Sequence, residues 1–389
     1  MSVTAPRGFV AGGVACGIKA SGAADLSLVA TEDGGAVAAA GVFTTNLAAA
    51  APVQVSRRHL EMTGGRSAAV ILNSGNANAA TGAAGRADAE RTCRETAERL
   101  GCATEAVLVC STGLIGIPLP IDVLAAGIPA VLADRSPDGG SRAAAAIMTT
   151  DTFAKQTVVP GPGFAVGGMA KGAAMLAPDM ATMLAVLTTD AVVEPALLRR
   201  ALAGAVGRSF NELTVDGATS TNDTVVVLAS GRSGTAAGEH ELTEALWEAC
   251  ADLAGQMAAD AEGATKVIRL RVTGAANAQD AAAGARKVAQ SQLVKCSWYG
   301  QDPYWGRIVS ELGSAGIAFD IDRVRVSYGG IVVCDGGIEA RPADTTSLDA
   351  VMGRARIEID ADLGLGSGEA SMLTADLTHA YIDENMTTS

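Results

Sequence analysis

A threonine becomes a strong nucleophile when its own α-amino group is free, because that amine titrates near neutral pH and can take the hydroxyl proton. The stretch KGAAMLAPDMATMLAVLTTDA, residues 171–191, holds a candidate. Thr182 follows the small Ala181 and precedes an apolar run, MLAVL, that reads as a buried strand. Attack of the hydroxyl on the Ala181 carbonyl would shift the peptide to an ester. Water would then divide the chain into residues 1–181 and 182–389. A β-branched residue at a strand start explains the same threonine without chemistry. On the chemistry alone that plainer account is the better one.

The rest of the composition removes competing chemistries. The 389 residues include only three histidines, His59, His240 and His379, with no HExxH or HxH spacing. A histidine-based metal site is therefore not expected, and no metal is assigned. There is no GxSxG elbow for a serine triad. The seven cysteines are odd in number, irregular in spacing and contain no CxxC, which points to free thiols in a reducing cytosol. A formal charge of −13 disfavours nucleic acid and anionic membrane surfaces as partners. Aromatic residues make up only 3%, too few for base-stacking platforms. Two glycine loops come close to phosphate-binding patterns and miss. Gly12-GVAC-Gly17-Ile18-Lys19 places Ile18 where a P-loop has lysine, and the loop at 161–167 misses GxGxxG by one residue and enters a strand.

The elements that must position these groups follow from periodicity and turn residues. Strands are expected at SLVAT and AVAAAGVFTT within residues 8–48, at 67–73, at 106–111 ending at Thr112-Gly113, at 164–171, 183–188 and 224–229. Helices are expected over 83–100, closed by Gly101, and over 121–134, 141–148, 194–206 and 240–261. Further strands are expected at 267–272, 324–328, 331–333, 357–359 and 371–377. Strands and helices mix without strict βαβ alternation, which favours an α+β class with layered sheets and helices. The Gly/Ala-rich passage TGAANAQDAAAGA marks an expected subdomain boundary near residue 275. The N-terminal run Gly8–Ile18 behind Arg7 is too rich in glycine for a secretory signal. No apolar stretch reaches the roughly 18 residues that span a bilayer.

Many short motifs occur together and in one order. They are GVFTTN at 41, ILNSGNANAATG at 71, CSTGLIG at 110, AIMTTDT at 146, STNDTV at 220, DAEGATK at 260, SQLVK at 291, DPYWGR at 302 and YIDEN at 381. With the segment at 171–191 they cover nearly the whole chain. This set closely resembles the bifunctional arginine-biosynthesis acetyltransferases, the ornithine acetyltransferase or glutamate N-acetyltransferase (ArgJ) family.

The resemblance implies an αββα-type, self-processing, threonine-nucleophile fold of the DmpA/ArgJ kind with a smaller C-terminal α+β subdomain. It implies cleavage between Ala181 and Thr182 into an α chain, 1–181, and a β chain, 182–389. About 182–275 would complete the catalytic core and about 276–389 would form the subdomain. The implied reaction moves acetyl from N2-acetylornithine to glutamate through an ester on Thr182. No cofactor is implied, although some members also take acetyl from acetyl-CoA. The two chains would stay together, commonly as α2β2, in the cytoplasm. Thr112 and Gly113 match the family's oxyanion-hole pair. Thr149, Thr150, Lys171, Thr182, Glu262, Asn385 and Ser389 match substrate-binding positions, with Thr150 favoured over Thr149.

Three departures stand out. The tail ENMTTS is one residue short and lacks an expected tyrosine. Tyr304 stands where asparagine is usual. Gln292 and Cys296 stand where proline and threonine are usual. Two rival readings remain: an amidohydrolase or aminopeptidase on the same architecture, and an uncleaved scaffold without activity.

Overall fold

The computed structural model describes residues 2–176, 183–340 and 345–386. The chain forms two compact units, Met1–Asn211 with Ala218–Met257, and Glu212–Gly217 with Ala258–Thr388.

The first unit contains β1 (Phe9–Val14), β2 (Leu26–Thr31), β3 (Val37–Phe43), β4 (Arg66–Ser67), β5 (Ala69–Asn76), β6 (Val107–Leu114), β7 (Lys155–Gly161), β8 (Phe164–Lys171), β9 (Leu184–Thr189) and β10 (Thr224–Ala229). Its helices are α1 (Ala51–Met62), α2 (Gly82–Leu100), α3 (Ile121–Asp134), α4 (Gly140–Ala146), α5 (Pro195–Gly207) and most of α6 (Glu239–Ala259). The strands make two sheets, ordered β1-β2-β5-β6 and β4-β3-β10-β9-β8-β7.

Side chains alternate across a strand, so a sheet covered on both faces needs apolar residues at every position. The first halves of β5 and β6, residues 69–72 and 107–110, meet this condition. Ile71, Val107 and Val109 pack with Cys93 of α2 and Leu124 and Ile128 of α3. Their neighbours Val70, Leu72 and Leu108 face the other way and pack with Met169, Val186 and Val226 of the second sheet. Beyond that second sheet, α5 lies on β3 and buries Leu198 and Leu202. The order of layers is therefore helix, sheet, sheet, helix. Each fully buried Leu, Ile or Val in them stabilises the fold by about 1.5–3 kcal/mol.

Among the described residues, the second unit has one sheet of six strands. They are β11 (Val267–Ala275), β12 (Arg325–Tyr328), β13 (Ile331–Asp335), β14 (Ile338–Glu339), β15 (Arg356–Asp362) and β16 (Gly368–Ala375), in the order β14-β13-β12-β15-β11-β16. In β11, Ile268, Leu270 and Val272 enter the core while Arg269 and Arg271 point out. Its helices are α7 (Ala278–Ala289), α8 (Gln292–Tyr299), α9 (Trp305–Gly313), α10 (Thr345–Met352) and α11 (His379–Glu384).

Several details differ from the sequence reading. The contact division falls at residue 258, not near 275, because β11 pairs with β15 and β16 and belongs to the second unit. The Gly/Ala-rich passage holds α7, whose N-cap Asn277 accepts a bond from the Asp280 amide. β6 does not end at Thr112-Gly113 but runs on to Leu114, because β5 stays paired with it in parallel. Two of the departures from the family pattern sit at helix starts. Gln292 is the first residue of α8, where proline is tolerated only because its missing N–H would be unpaired anyway. Tyr304 is the N-cap of α9 and makes no side-chain cap bond, which asparagine could make.

Candidate functional site

Thr112 and Gly113 lie near the end of β6, beside Ser74 and Gly75 of β5. The two backbones approach so closely that a Cβ on Gly113 would stand 2.3 Å from the Gly75 carbonyl carbon. Gly113 also has φ +132°, so both space and backbone conformation demand glycine there. The Thr112 side chain is buried, and its Oγ1 accepts a 3.2 Å bond from Lys171 Nζ at the end of β8. A hydroxyl that accepts from an ammonium becomes a better donor itself. Thr112 is thus prepared to donate toward a developing negative charge.

A buried ionic group stands behind Lys171. Asp151 Oδ1 accepts from Lys155 Nζ at 2.6 Å and from the Gly172 amide at 2.8 Å. Its Oδ2 accepts from the Thr149 amide at 3.0 Å. Burial would raise the Asp151 carboxyl, but the charges of Lys171 and Lys155 and these hydrogen bonds outweigh it and bring it down to about 2. Thr149 is half-buried and Thr150 is exposed. Lys19 Nζ donates to the Met148 carbonyl at 2.7 Å, so a third lysine braces the same loop.

Lys19 also resolves the first glycine loop. The amides of Cys16, Gly17, Ile18 and Lys19 all point at the Asp25 carboxylate, at 2.6 to 3.1 Å. The loop is an anion nest whose anion is part of the chain, which leaves those donors unavailable to a phosphate. The other near-miss, around Gly163, is the hairpin turn between β7 and β8.

Met183 begins the described chain after residue 182. Its amide donates to Asp223 Oδ1 at 2.9 Å, and its carbonyl accepts from the Thr224 amide at 3.1 Å. The neighbouring Asn222 spends its Nδ2 on the carbonyls of Ala77 and Ser111, at 2.7 and 2.8 Å. One dipeptide therefore holds the residue before Thr112 and the residue after Thr182. Burial pushes the Asp223 carboxyl well above the usual carboxylate range; the Met183 amide, the charge of Lys171 and Ser220 pull the other way and do not prevail.

In the second unit, Asn385 Nδ2 donates to Glu262 at 2.8 Å and to the Tyr381 carbonyl at 2.9 Å. Gly263 allows this arrangement: a Cβ there would meet the Tyr381 amide nitrogen at 2.3 Å. Thr378 caps α11 and donates to the Gly263 carbonyl at 2.6 Å.

Of the residues singled out from the sequence, Thr112, Gly113, Thr149, Thr150 and Lys171 fall in the first unit, and Glu262 and Asn385 in the second. Ala181, Thr182 and Ser389 lie outside the described residues. Sequence reasoning gave no role to Lys19, Asp151, Lys155, Asn222 or Asp223. Asp151 and Lys155 were visible as an opposite-charge pair four residues apart. Asn222 and Asp223 were visible as a polar run at the head of a strand. Among the described residues, no cluster of three His, Cys, Asp or Glu side chains could hold a metal ion, and no helix is long and apolar enough to cross a membrane. All seven thiols are free.

The sequence model of the ArgJ family matches residues 10–388. A Mycobacterium tuberculosis protein called arginine biosynthesis bifunctional protein ArgJ is 51% identical over 391 residues, spanning 98% of this chain and 95% of its own. A Thermobifida fusca protein of the same name is 47% identical over 393 residues, spanning 99% of each. A solved chain described as ornithine acetyltransferase complexed with ornithine, from Mycobacterium tuberculosis, is 48% identical over 46% of this chain and 94% of its own, with a TM-score of 0.41.

Proposed function

Because this chain belongs to the ArgJ family of arginine-biosynthesis acyltransferases, we propose that it moves acetyl from N2-acetylornithine to glutamate through an ester on Thr182. Self-cleavage between Ala181 and Thr182 comes first and frees the amine that serves as base. Thr182 Oγ then attacks the acetyl carbonyl, and the Thr112 hydroxyl and Gly113 amide receive the oxyanion. Ornithine leaves, the glutamate amine takes the acetyl group from the ester, and the cycle is ping-pong. The observation that carries this reading is the buried Lys171–Thr112 contact at the end of β8 and β6. It places a cation behind a hydroxyl donor.

Lys171 is assigned a second task, holding a substrate carboxylate, with the loop of Thr149 and Thr150 beside it. Glu262 is assigned to the side-chain ammonium of ornithine, with Asn385 and Ser389 as further substrate contacts. No cofactor is needed, and acetyl-CoA is a second acetyl donor. The partners are the enzyme's own α and β chains, as α2β2, in the cytoplasm.

Intact mass under denaturing conditions, followed by an acetylornithine assay with and without glutamate, tests the reading. Two chains, the second starting at Thr182, and glutamate-dependent turnover are expected. Thr182→Ala should stay a single 38.9 kDa chain and lose on the order of 10⁴-fold or more in kcat. Acetate released without glutamate would mark a hydrolase. Activity in an uncleaved chain would sink the N-terminal-threonine mechanism.

A further inference from the structure

Lys295, the lysine of the SQLVK motif, lies on α8 in the second unit and is only 4% exposed. An ammonium has three N–H donors, and Lys295 has an acceptor for each. Its Nζ donates to the Val215 carbonyl at 2.6 Å, to Thr374 Oγ1 at 3.1 Å and to the Ala375 carbonyl. The Thr374 hydroxyl donates its own proton to the Ala289 carbonyl at 3.2 Å. One side chain thus joins α8 to the end of β16 and to the segment 212–217, about eighty residues earlier in the chain.

Each carbonyl that Lys295 holds precedes an aspartate that organises the surroundings of Glu262. Val215 precedes Asp216, whose Oδ2 accepts from the Tyr381 hydroxyl of α11 at 3.4 Å. Ala375 precedes Asp376, whose Oδ1 accepts from the Thr265 and Lys266 amides at 2.9 and 3.0 Å, and whose Oδ2 accepts from the Thr265 hydroxyl. The two arms meet at Asn385, whose Nδ2 donates both to Glu262 and to the Tyr381 carbonyl. Burial, followed by the charges of Asp216 and Glu262, pushes the Tyr381 phenol up to about 12, so both carboxylates act on that hydroxyl.

We propose that Lys295 is a positioning residue for the side-chain end of the substrate: by holding Val215 and Ala375 it sets where Asp216, Tyr381, Asn385 and Glu262 stand, and with them the preference for an acetyl donor that carries a side-chain ammonium. This inference rests on the assignment of Glu262 to that ammonium. A methionine would fill the same space and leave both carbonyls without their donor. Loss of the proton acts in the same direction, because a neutral amine has two N–H groups for three acceptors. Burial brings the Lys295 ammonium down to about 8, against the charges of Asp216, Asp376 and Cys296, which hold it up. Charged groups on the helices around α8 have partners of their own. Arg307 donates to the Leu293 carbonyl, Glu311 accepts from Ser291 and pairs with Lys287, and His379 stands against Tyr299.

The test compares N2-acetylornithine with N2-acetylnorvaline, which has the same carbon chain and no side-chain ammonium. The ratio of their kcat/KM values, with glutamate as acceptor, reads that end of the site alone. Damage elsewhere lowers both donors alike. Lys295→Met should lose at least about tenfold of the wild-type preference for acetylornithine. The wild-type preference should also fall as pH rises through about 8. Lys295→Arg, charged throughout, should show no such fall. An unchanged ratio in Lys295→Met overturns the proposal. If that variant does not fold, the wild type decides, and a ratio that stays level as pH rises through about 8 overturns it. A wild type that turns over neither donor, or both alike, would instead sink the functional reading, because Glu262 would then have no ammonium to hold.

Discussion

Two buried aspartates in the first unit are driven in opposite directions. Asp151 has a lysine at 2.6 Å, a second lysine's charge nearby and two backbone amides, and its carboxyl falls to about 2. Asp223 has the Met183 amide on Oδ1, Ser220 beside it and no hydrogen-bond partner on Oδ2, and burial pushes its carboxyl up. Desolvation acts on both, and the number of partners decides which way each moves. A fully partnered carboxylate is a structural anion. A half-partnered one is driven toward its neutral form. One residue type thus takes two protonation states in the same unit.

The largest test of this contrast removes the scaffold charge. Asp151→Asn removes the carboxylate that the fully buried Lys155 meets at 2.6 Å and whose charge Lys171 also feels. Breaking a buried pair by deleting one partner costs about 3–5 kcal/mol. Placing the change in a Thr182→Ala background separates it from any effect on cleavage. Urea unfolding of the two proteins gives the difference directly. A loss below about 1 kcal/mol would mean that Asp151 is not the structural anion described here.

How far these features could be read from the sequence differs between fold and site. α3, β8 and β10 begin and end where residue pattern places them, because β8 and β10 are largely apolar runs and α3 repeats buried apolar residues, Leu124, Ile128 and Val131, at helical spacing. The helices α7, α8 and α9 were not foreseen. The Gly/Ala-rich start of α7 looks like a linker, and its Asn277–Asp280 cap was the available signal. Thr112 and Gly113 entered only through family resemblance; alone they read as a turn, and the substrate role of Lys171 came the same way. Asp223 was hidden for a geometric reason. It lies forty residues from Met183 in the chain and meets it because β10 pairs in parallel with β9, Thr224 against Leu184. No local pattern encodes that register.

A second prediction sharpens the contrast through acid titration. The Asp151 carboxyl is lower in the folded state than in the unfolded chain, so its stabilisation is complete above the unfolded value near 4. It is lost as pH falls toward about 2. The size is about 2 kcal/mol, from a shift of nearly two units. Thr182→Ala should lose this amount between those pH values, and Thr182→Ala with Asp151→Asn should lose less. Parallel curves for the two proteins would contradict the assignment.

Asp223 should give the smallest effect, with the opposite sign. Its folded carboxyl is raised, so the folded state holds a proton that the unfolded chain releases above about 4. Stability linked to Asp223 is therefore full below that point and declines as pH rises toward the folded value. One group sets a slope of at most about 1.4 kcal/mol per pH unit. Asp223→Asn, again on Thr182→Ala, removes the titration. Its stability should fall less between pH 4 and neutrality than that of Thr182→Ala alone, while Oδ1 keeps its bond to Met183. If the substitution instead steepened the decline, the unpartnered oxygen would be stabilising the ionised form. Asp223 would then belong with Asp151 as scaffold, and the distinction between the two aspartates would collapse.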